Sequence, residues 1–437
     1  MTSPSAAPAR SPTGTFDAAI ATLIGVFFSL VYGALAWRVT QGHFFEHFNL
    51  VFDYDAPAFV DLFTHGLRGR ADQVDLIGRA IKHPLASWIS LLTLPFRLFG
   101  IRASLSAALT GAVAGGITDA LFFLFARLVG SARPESILVT LIFAFGAAQL
   151  FPSILVESYV YAALTLMITW FLLALRYGSP ARMTVAATLN AVLTFGVTIT
   201  NAVQSAIAEF FAQFSAAPLP RAIRKTLLVG CAAAVLAVAA IAVTWPDAIP
   251  YAFAHPAMAV RVIYWQQTKG ARTGLGQVLL TFFGYSLAAP LFTTVPLPEG
   301  ILMRDFRAFE MPLFEAAGLF LWIVVVVASA VVAVADESKR KLSAALLAAI
   351  AFNIVLNCFV QYRGSLFIYT PHIWVAIAAL VAVGISAWQP AKHAHRWILR
   401  GVLAAILLII APLNLARAVE TVTLFDDAKA FTLPHAP

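Results

Sequence analysis

The chain alternates between long apolar runs and short polar interruptions. Runs of about 20 residues with few or no charges recur, as in Phe16 to Trp37, Ala317 to Ala335 and Leu342 to Val360, and that length crosses a hydrocarbon layer of roughly 30 Å as a helix. The pattern predicts helices near 16–37, 103–128, 136–152, 155–175, 183–200, 203–216, 226–245, 314–335, 342–360, 366–387 and 399–416, about eleven spans, give or take two. Two shorter apolar pieces, 84–96 and 276–292, read as half-helices or as segments lying in the interface. Ala, Val and Leu dominate the runs without the ten-residue alternation of a membrane barrel. The predicted fold is therefore all-α: a polytopic transmembrane helical bundle with a layer of loops and juxtamembrane helices on one face. Residues 1–15, rich in Ser, Pro and Ala, read as a disordered tail. Residues 16–437 read as one transmembrane domain without a clear internal repeat. Ala34-Leu35-Ala36 imitates a signal-peptidase site, but the preceding apolar run is too long for a signal peptide's core, so the first helix is expected to stay.

Composition sharpens this picture. The 437 residues are 61% hydrophobic and 11% charged, whereas soluble domains are roughly 45–50% apolar and 25% charged. The net charge of +8 would suggest nucleic acid in a soluble protein. Here the basic residues gather in short turns: Arg127 and Arg133; Arg176 and Arg182; Arg221, Arg224 and Lys225; Lys339, Arg340 and Lys341; Lys392, Arg396 and Arg400. Alternation of spans puts all of them on one side, which the positive-inside rule makes cytoplasmic, so no nucleic-acid partner is implied. The other side carries two long stretches, 38–83 and 246–313. Cys231 and Cys358 sit in apolar stretches and form no disulfide framework.

The external stretches hold most of the candidate chemistry. In the first, Asp53 and Asp55 flank Tyr54, with Phe52 and Pro57 beside them. Two carboxylates near an apolar surface suit a general base for an attacking hydroxyl, with a proton affinity raised by like charge, or a divalent cation held against phosphate oxygens. The plain alternative is an Asp-rich turn in which Asp55 caps the next helix and Pro57 sits in its first turn. Downstream, Lys82-His83-Pro84-Leu85 opens an apolar piece that ends near Pro95 and Arg97. His83 then lies at the interface, as a phosphate or sugar contact or as a polar anchor.

This arrangement resembles the GT-C class of membrane glycosyltransferases, in the branch of the bacterial aminoarabinose and protein O-mannosyl transferases. The first helix, the external acidic loop, the His-Pro-Leu motif and the long second helix carry the resemblance. It covers the amino-terminal third by motif, and the rest by topology and one late arginine. It implies a polyprenyl-phosphate sugar donor, a lipid, glycan or protein acceptor, action on the external face of a bacterial inner membrane, and a loop acid as catalytic base, with Asp53 first and Asp55 second. The Asp-Tyr-Asp spacing departs from the Asp-Glu or Glu-Asp often met in relatives, and no large soluble carboxy-terminal domain follows.

Cations suited to the donor phosphate lie elsewhere. Arg363, in Gln361-Tyr362-Arg363-Gly364, falls between two late helices at their external ends. There it can grip a lipid phosphate in a bidentate bond or simply snorkel; in the resembled class an arginine so placed is associated with the donor's phosphate. Arg97 and Arg102, flanking Gly100, offer a second phosphate contact or snorkel likewise. Lys269 and Arg272 accompany Tyr264, Trp265, Gln266 and Gln267, a mix that suits either a sugar-binding flap or an interfacial helix on lipid headgroups. Glu157, near Tyr159 and Tyr161, is expected to line the same cavity as the acidic loop. Acids in or near apolar helices (Asp119, Glu209 and Glu315 as well) also suit a proton path. A transporter or lipid flippase is therefore the main competing function, and a glycan polymerase or ligase, which would also have a large external loop and basic residues, is a further one. Metal ligands are not defined by any motif.

Overall fold

A computed structural model of the chain describes residues 14–45, 50–64, 82–181, 183–257, 274–296, 302–306, 312–360, 365–388 and 393–426. Among these residues the protein is all-α apart from one small hairpin, with sixteen helices. Helices α1 (Thr15–Val39), α2 (Ala56–Thr64), α3 (Ile89–Leu98) and α4 (Ala103–Val129) come first. Next are α5 (Arg133–Phe145), α6 (Ala147–Ile154), α7 (Tyr159–Arg176), α8 (Thr184–Val197), α9 (Ala202–Ala216) and α10 (Leu219–Thr244). After α11 (Ala248–Ala254) and α12 (Leu275–Leu279), which runs on as a π-helical turn to Tyr285, strands β1 (Thr293–Pro296) and β2 (Leu302–Asp305) pair antiparallel. The chain closes with α13 (Leu313–Ala335), α14 (Arg340–Val355), α15 (Thr370–Ala387) and α16 (His393–Leu424).

Eight of these helical stretches are long and apolar enough to cross a membrane, and there are nine if the bent pair α5–α6 is counted as one span. The protein is an integral membrane protein of helical type. Every predicted span has a helix at its place. Two of them, α8 and α9, are too short or too polar to qualify as spans by length and composition.

The run 136–152, expected as one helix, breaks by 55° at Gly146. Gly146 is extended (φ −58°, ψ 138°), and a Cβ there would press 2.6 Å from the Trp374 ring. The break turns the amides of Ala147 and Ala148 onto the carbonyls of Leu287 (3.2 Å) and Ser286 (2.9 Å). α15 is buried along its whole length, as expected of a helix apolar on all sides. Its Trp374 stacks on Phe143 and tilts against Trp322. α1 and α4 cross closely because a Cβ at Gly116 would collide with Ser29 and the Gly25 carbonyl, a small-residue contact typical of membrane helices.

Basic residues of several of these turns share one end of the bundle, where they tie helix ends together. Arg127 and Arg133 both bind Asp17 at the start of α1 (3.1 and 2.6 Å). Arg400 binds Glu135 at 2.9 Å. Lys339 and Lys341 donate to the carbonyls of Val129 (2.6 Å) and Phe214 (2.8 Å).

Candidate functional site

At the opposite end, the segment 50–55 follows α1 and is clamped between the hairpin and α7. Phe52 N–H donates to the Arg304 carbonyl and Arg304 N–H to the Leu50 carbonyl, both at 2.9 Å, so this segment lies beside β2 through a parallel bridge at Val51. The chain then reverses, with Tyr54 N–H on the Val51 carbonyl at 3.0 Å. Phe52 (φ 53°) and Asp53 (φ 61°) adopt the left-handed conformation, which costs a non-glycine residue of the order of 1–3 kcal/mol. Burial within this turn alternates. Phe52 and Tyr54 are fully buried, while Asp53 and Asp55 are partly exposed.

The strain is held by packing. The Phe52 ring lies 4.5 Å from Phe367, 4.7 Å from Phe306, 5.5 Å from Phe151 and 5.7 Å from Phe292. Tyr54 stacks on Tyr159 of α7 at 5.7 Å. Burial pushes the Tyr54 phenol well above its usual range, and the nearby Glu157 carboxylate adds to this, so Tyr54 stays neutral. Asp55 also plays the part of a helix start: it precedes α2, and its carbonyl accepts from Ala58 and Phe59, with Pro57 in the first turn. The capping role foreseen for it therefore holds at the backbone.

Glu157 joins this turn directly. It is buried, and its Oε2 accepts the Asp55 N–H at 3.1 Å while Oε1 accepts from Ser158 N–H (3.0 Å) and Oγ (3.2 Å). Beyond Tyr159 lie Tyr369 (6.4 Å) and, edge-on at 5.5 Å, His372. His372 Nδ1 sits 2.8 Å from Asn201 Oδ1, and Gln204 donates to the His372 carbonyl at 2.9 Å. His372 is a packed histidine of α15.

His83 also reaches this end. Its Nδ1 lies 2.6 Å from the Val197 carbonyl at the end of α8, and its ring meets Phe59 edge-on. Pro84 and Leu85 dock beside it, through Trp245 Nε1 on the Pro84 carbonyl (2.8 Å) and Leu85 N–H on the Gly196 carbonyl (2.8 Å). The chain thus brings Asp53, Asp55, Glu157 and His83 to one end of the bundle, beside the packed rings of Tyr54, Tyr159 and Phe59.

The arginines at 97 and 102 have other work. Arg97 donates to the Thr64 carbonyl at the end of α2. Arg102 donates to the Thr40 carbonyl (2.5 Å) and hydroxyl (3.0 Å) at the end of α1. Both close the unsatisfied carbonyl ends of helices. Both residues are exposed, but their placement is accounted for without a phosphate. Lys269, Arg272 and Arg363 lie outside the described residues.

Two features of this end fall outside the sequence expectations. The hairpin was not expected in a helical protein, although Thr293-Thr294-Val295 is β-favouring. Asp305, at its end, is buried and accepts from Ser365 Oγ (2.5 Å) and Phe306 N–H (2.8 Å). That bond places the segment leading into α15 against the Phe52 cage.

Among the described residues, no three His, Cys, Asp or Glu side chains cluster as a metal-ligand set. Both Glu157 oxygens already accept N–H or O–H donors, an arrangement that disfavours a cation. Compared with protein-family models and with curated proteins, the chain matches none.

Proposed function

We propose that the protein is a membrane glycosyltransferase that moves a sugar from a polyprenyl-phosphate donor to a hydroxyl acceptor on the external face of a bacterial inner membrane. The observation that carries this reading is the presentation of Asp53. It is a partly exposed acid on a strained, caged turn, at the end of the bundle opposite the basic helix ends. Strain held in place by packing clusters at functional sites, and a fixed carboxylate at a membrane edge suits a general base.

In the proposed reaction Asp53 accepts the proton of the acceptor hydroxyl. The hydroxyl oxygen forms the bond to the anomeric carbon as the bond from that carbon to the donor phosphate breaks. The electron pair leaves with the polyprenyl phosphate, and one displacement inverts the anomeric centre. Asp55 is the alternate base, with His83 at the edge of the same site. The developing phosphate charge calls for a cation, and Arg363, Lys269 and Arg272 are the residues proposed for it. The GT-C resemblance of the acidic loop and the His-Pro-Leu motif supports the same reading.

The competing transporter reading draws on the buried acids. Asp119 accepts from Tyr32 (2.9 Å), Glu209 pairs with Arg176, and Glu157 binds backbone amides. These three acids each have a local partner, which suits structural anchoring better than a shared proton path, whereas Glu315 keeps a buried Oε2 that no hydrogen bond meets among the described residues.

The test is transfer by purified protein in detergent with a panel of radiolabelled polyprenyl-phosphate sugars. Wild type is expected to turn over at least one donor. Asp53→Asn is expected to lose about 10²–10⁴-fold in kcat, the usual share of a general base. Turnover of no donor, together with proton-coupled uptake into vesicles, would replace the transferase with a transporter. Full activity of both Asp53→Asn and Asp55→Asn would favour a polymerase or ligase.

A further inference from the structure

Glu157 is poorly placed to touch a phosphate. It is 3% exposed, and an anion beside it would meet a second negative charge. Its surroundings instead suit a carboxylate that holds backbone. It lies between the starts of two helices: Asp55 precedes α2, and Ser158 precedes α7. Helix starts leave amides without intrahelical partners and carry partial positive charge. Oε2 takes the Asp55 amide at 3.1 Å, and Oε1 takes the Ser158 amide at 3.0 Å. One side chain therefore links the acid-bearing turn to a membrane span.

The other end of that turn is fixed by the Phe52 and Arg304 backbone bonds. Between the two anchors lie only Asp53 and Tyr54. With the anchors in place, the left-handed pair Phe52–Asp53 is over-determined. With the Asp55 anchor released, Phe52 keeps its ring cage and its bond to Arg304, while Asp53 can relax toward ordinary backbone angles and its carboxylate turns with it.

We propose that Glu157 is a positioning residue: it clamps the Asp55 amide and so fixes the direction in which Asp53 is presented. This rests on the transferase reading for its catalytic consequence, and not for the clamp itself. A carboxylate is needed because donors converge on both oxygens; an amide would turn an N–H toward one of them.

The experiment has two arms on the full-length protein in detergent. The first is hydrogen exchange of the peptide covering 50–59 in wild type, Glu157→Ala and Glu157→Gln. Exchange at the Asp55 amide is expected to rise roughly tenfold in the alanine variant, the scale of one lost charge-assisted bond, and less in the glutamine variant. Unchanged exchange in both variants overturns the clamp. The second arm is kinetics with whichever donor the wild type uses. Here kcat is expected to fall about 10–100-fold, the cost of a misplaced reacting group, with donor KM within about threefold. A raised KM with kcat preserved overturns the proposal and makes Glu157 a substrate contact. Should Glu157→Ala fail to fold, Glu157→Gln carries both arms. Absence of turnover in wild type would defeat the transferase reading, and the exchange arm alone would still decide the clamp.

Discussion

Phe52 and Asp53 share an unfavourable backbone conformation for different reasons. Asp tolerates the left-handed region better than most residues, because its short polar side chain bonds locally. Phe has no such excuse, and it is held there by four neighbouring phenylalanine rings. Phe52→Ala is therefore expected to cost about 3–5 kcal/mol, as a deleted buried aromatic does, seen as a large fall in the detergent unfolding midpoint. Asp53→Asn is expected to keep that midpoint within a degree or two, because Asn occupies the same backbone region readily. A comparable loss of stability in both variants would show that Asp53 is a structural cap and not an exposed functional acid. At this scale the sequence is informative about residue type and not about partner. The Asp-Tyr-Asp spacing marks the acids, but nothing near position 52 announces rings from positions 151, 292, 306 and 367.

At the scale of elements, apolar run length locates the spans, because the membrane sets that length. It fails where a second constraint intervenes. The break at Gly146 depends on Trp374, more than 200 residues away, and on carbonyls after the π-helical turn. The short α9 reads weakly as a span for a related reason: its buried face is polar. Gln204, Ser205, Glu209 and Gln213 all point inward. Glu209 there meets Arg176 of α7 in a bidentate pair that also takes Gln213 Nε2 at 2.8 Å. Both charged side chains are buried, 2% and 7% exposed. Removing one partner of such a pair strands a charge, so Arg176→Met alone is expected to destabilise by about 3–5 kcal/mol. The double variant Arg176→Met/Glu209→Leu is expected to regain most of that loss, since apolar replacements of a buried pair are often neutral. Unfolding midpoints of the wild type, both single variants and the double variant make the cycle. Additive losses would show that the pair is not coupled.

Across the whole molecule, charge is segregated by end. One end is laced by Arg127, Arg133, Lys339, Lys341 and Arg400, each bound to an acid or carbonyl of a neighbouring helix. The other end holds Asp53, Asp55, Glu157, His83 and a wall of aromatic rings. Insertion bias favours a cytoplasmic placement of the basic end, and the proposed transferase requires the acid-bearing turn to face outside, where the proposed lipid-carried donor and its acceptor would meet. Two exposed positions report this directly. Glu337 lies in the basic turn between α13 and α14, and Thr423 lies near the end of α16, at the site end. In a background with Cys231 and Cys358 replaced by alanine, Thr423→Cys in spheroplasts is expected to react with an impermeant thiol reagent added outside. Glu337→Cys is expected to react only after the membrane is opened. The reverse pattern would place Asp53 in the cytoplasm, where a polyprenyl-phosphate donor presented on the outer leaflet is out of reach, and the proposed transferase would have no substrate at its base.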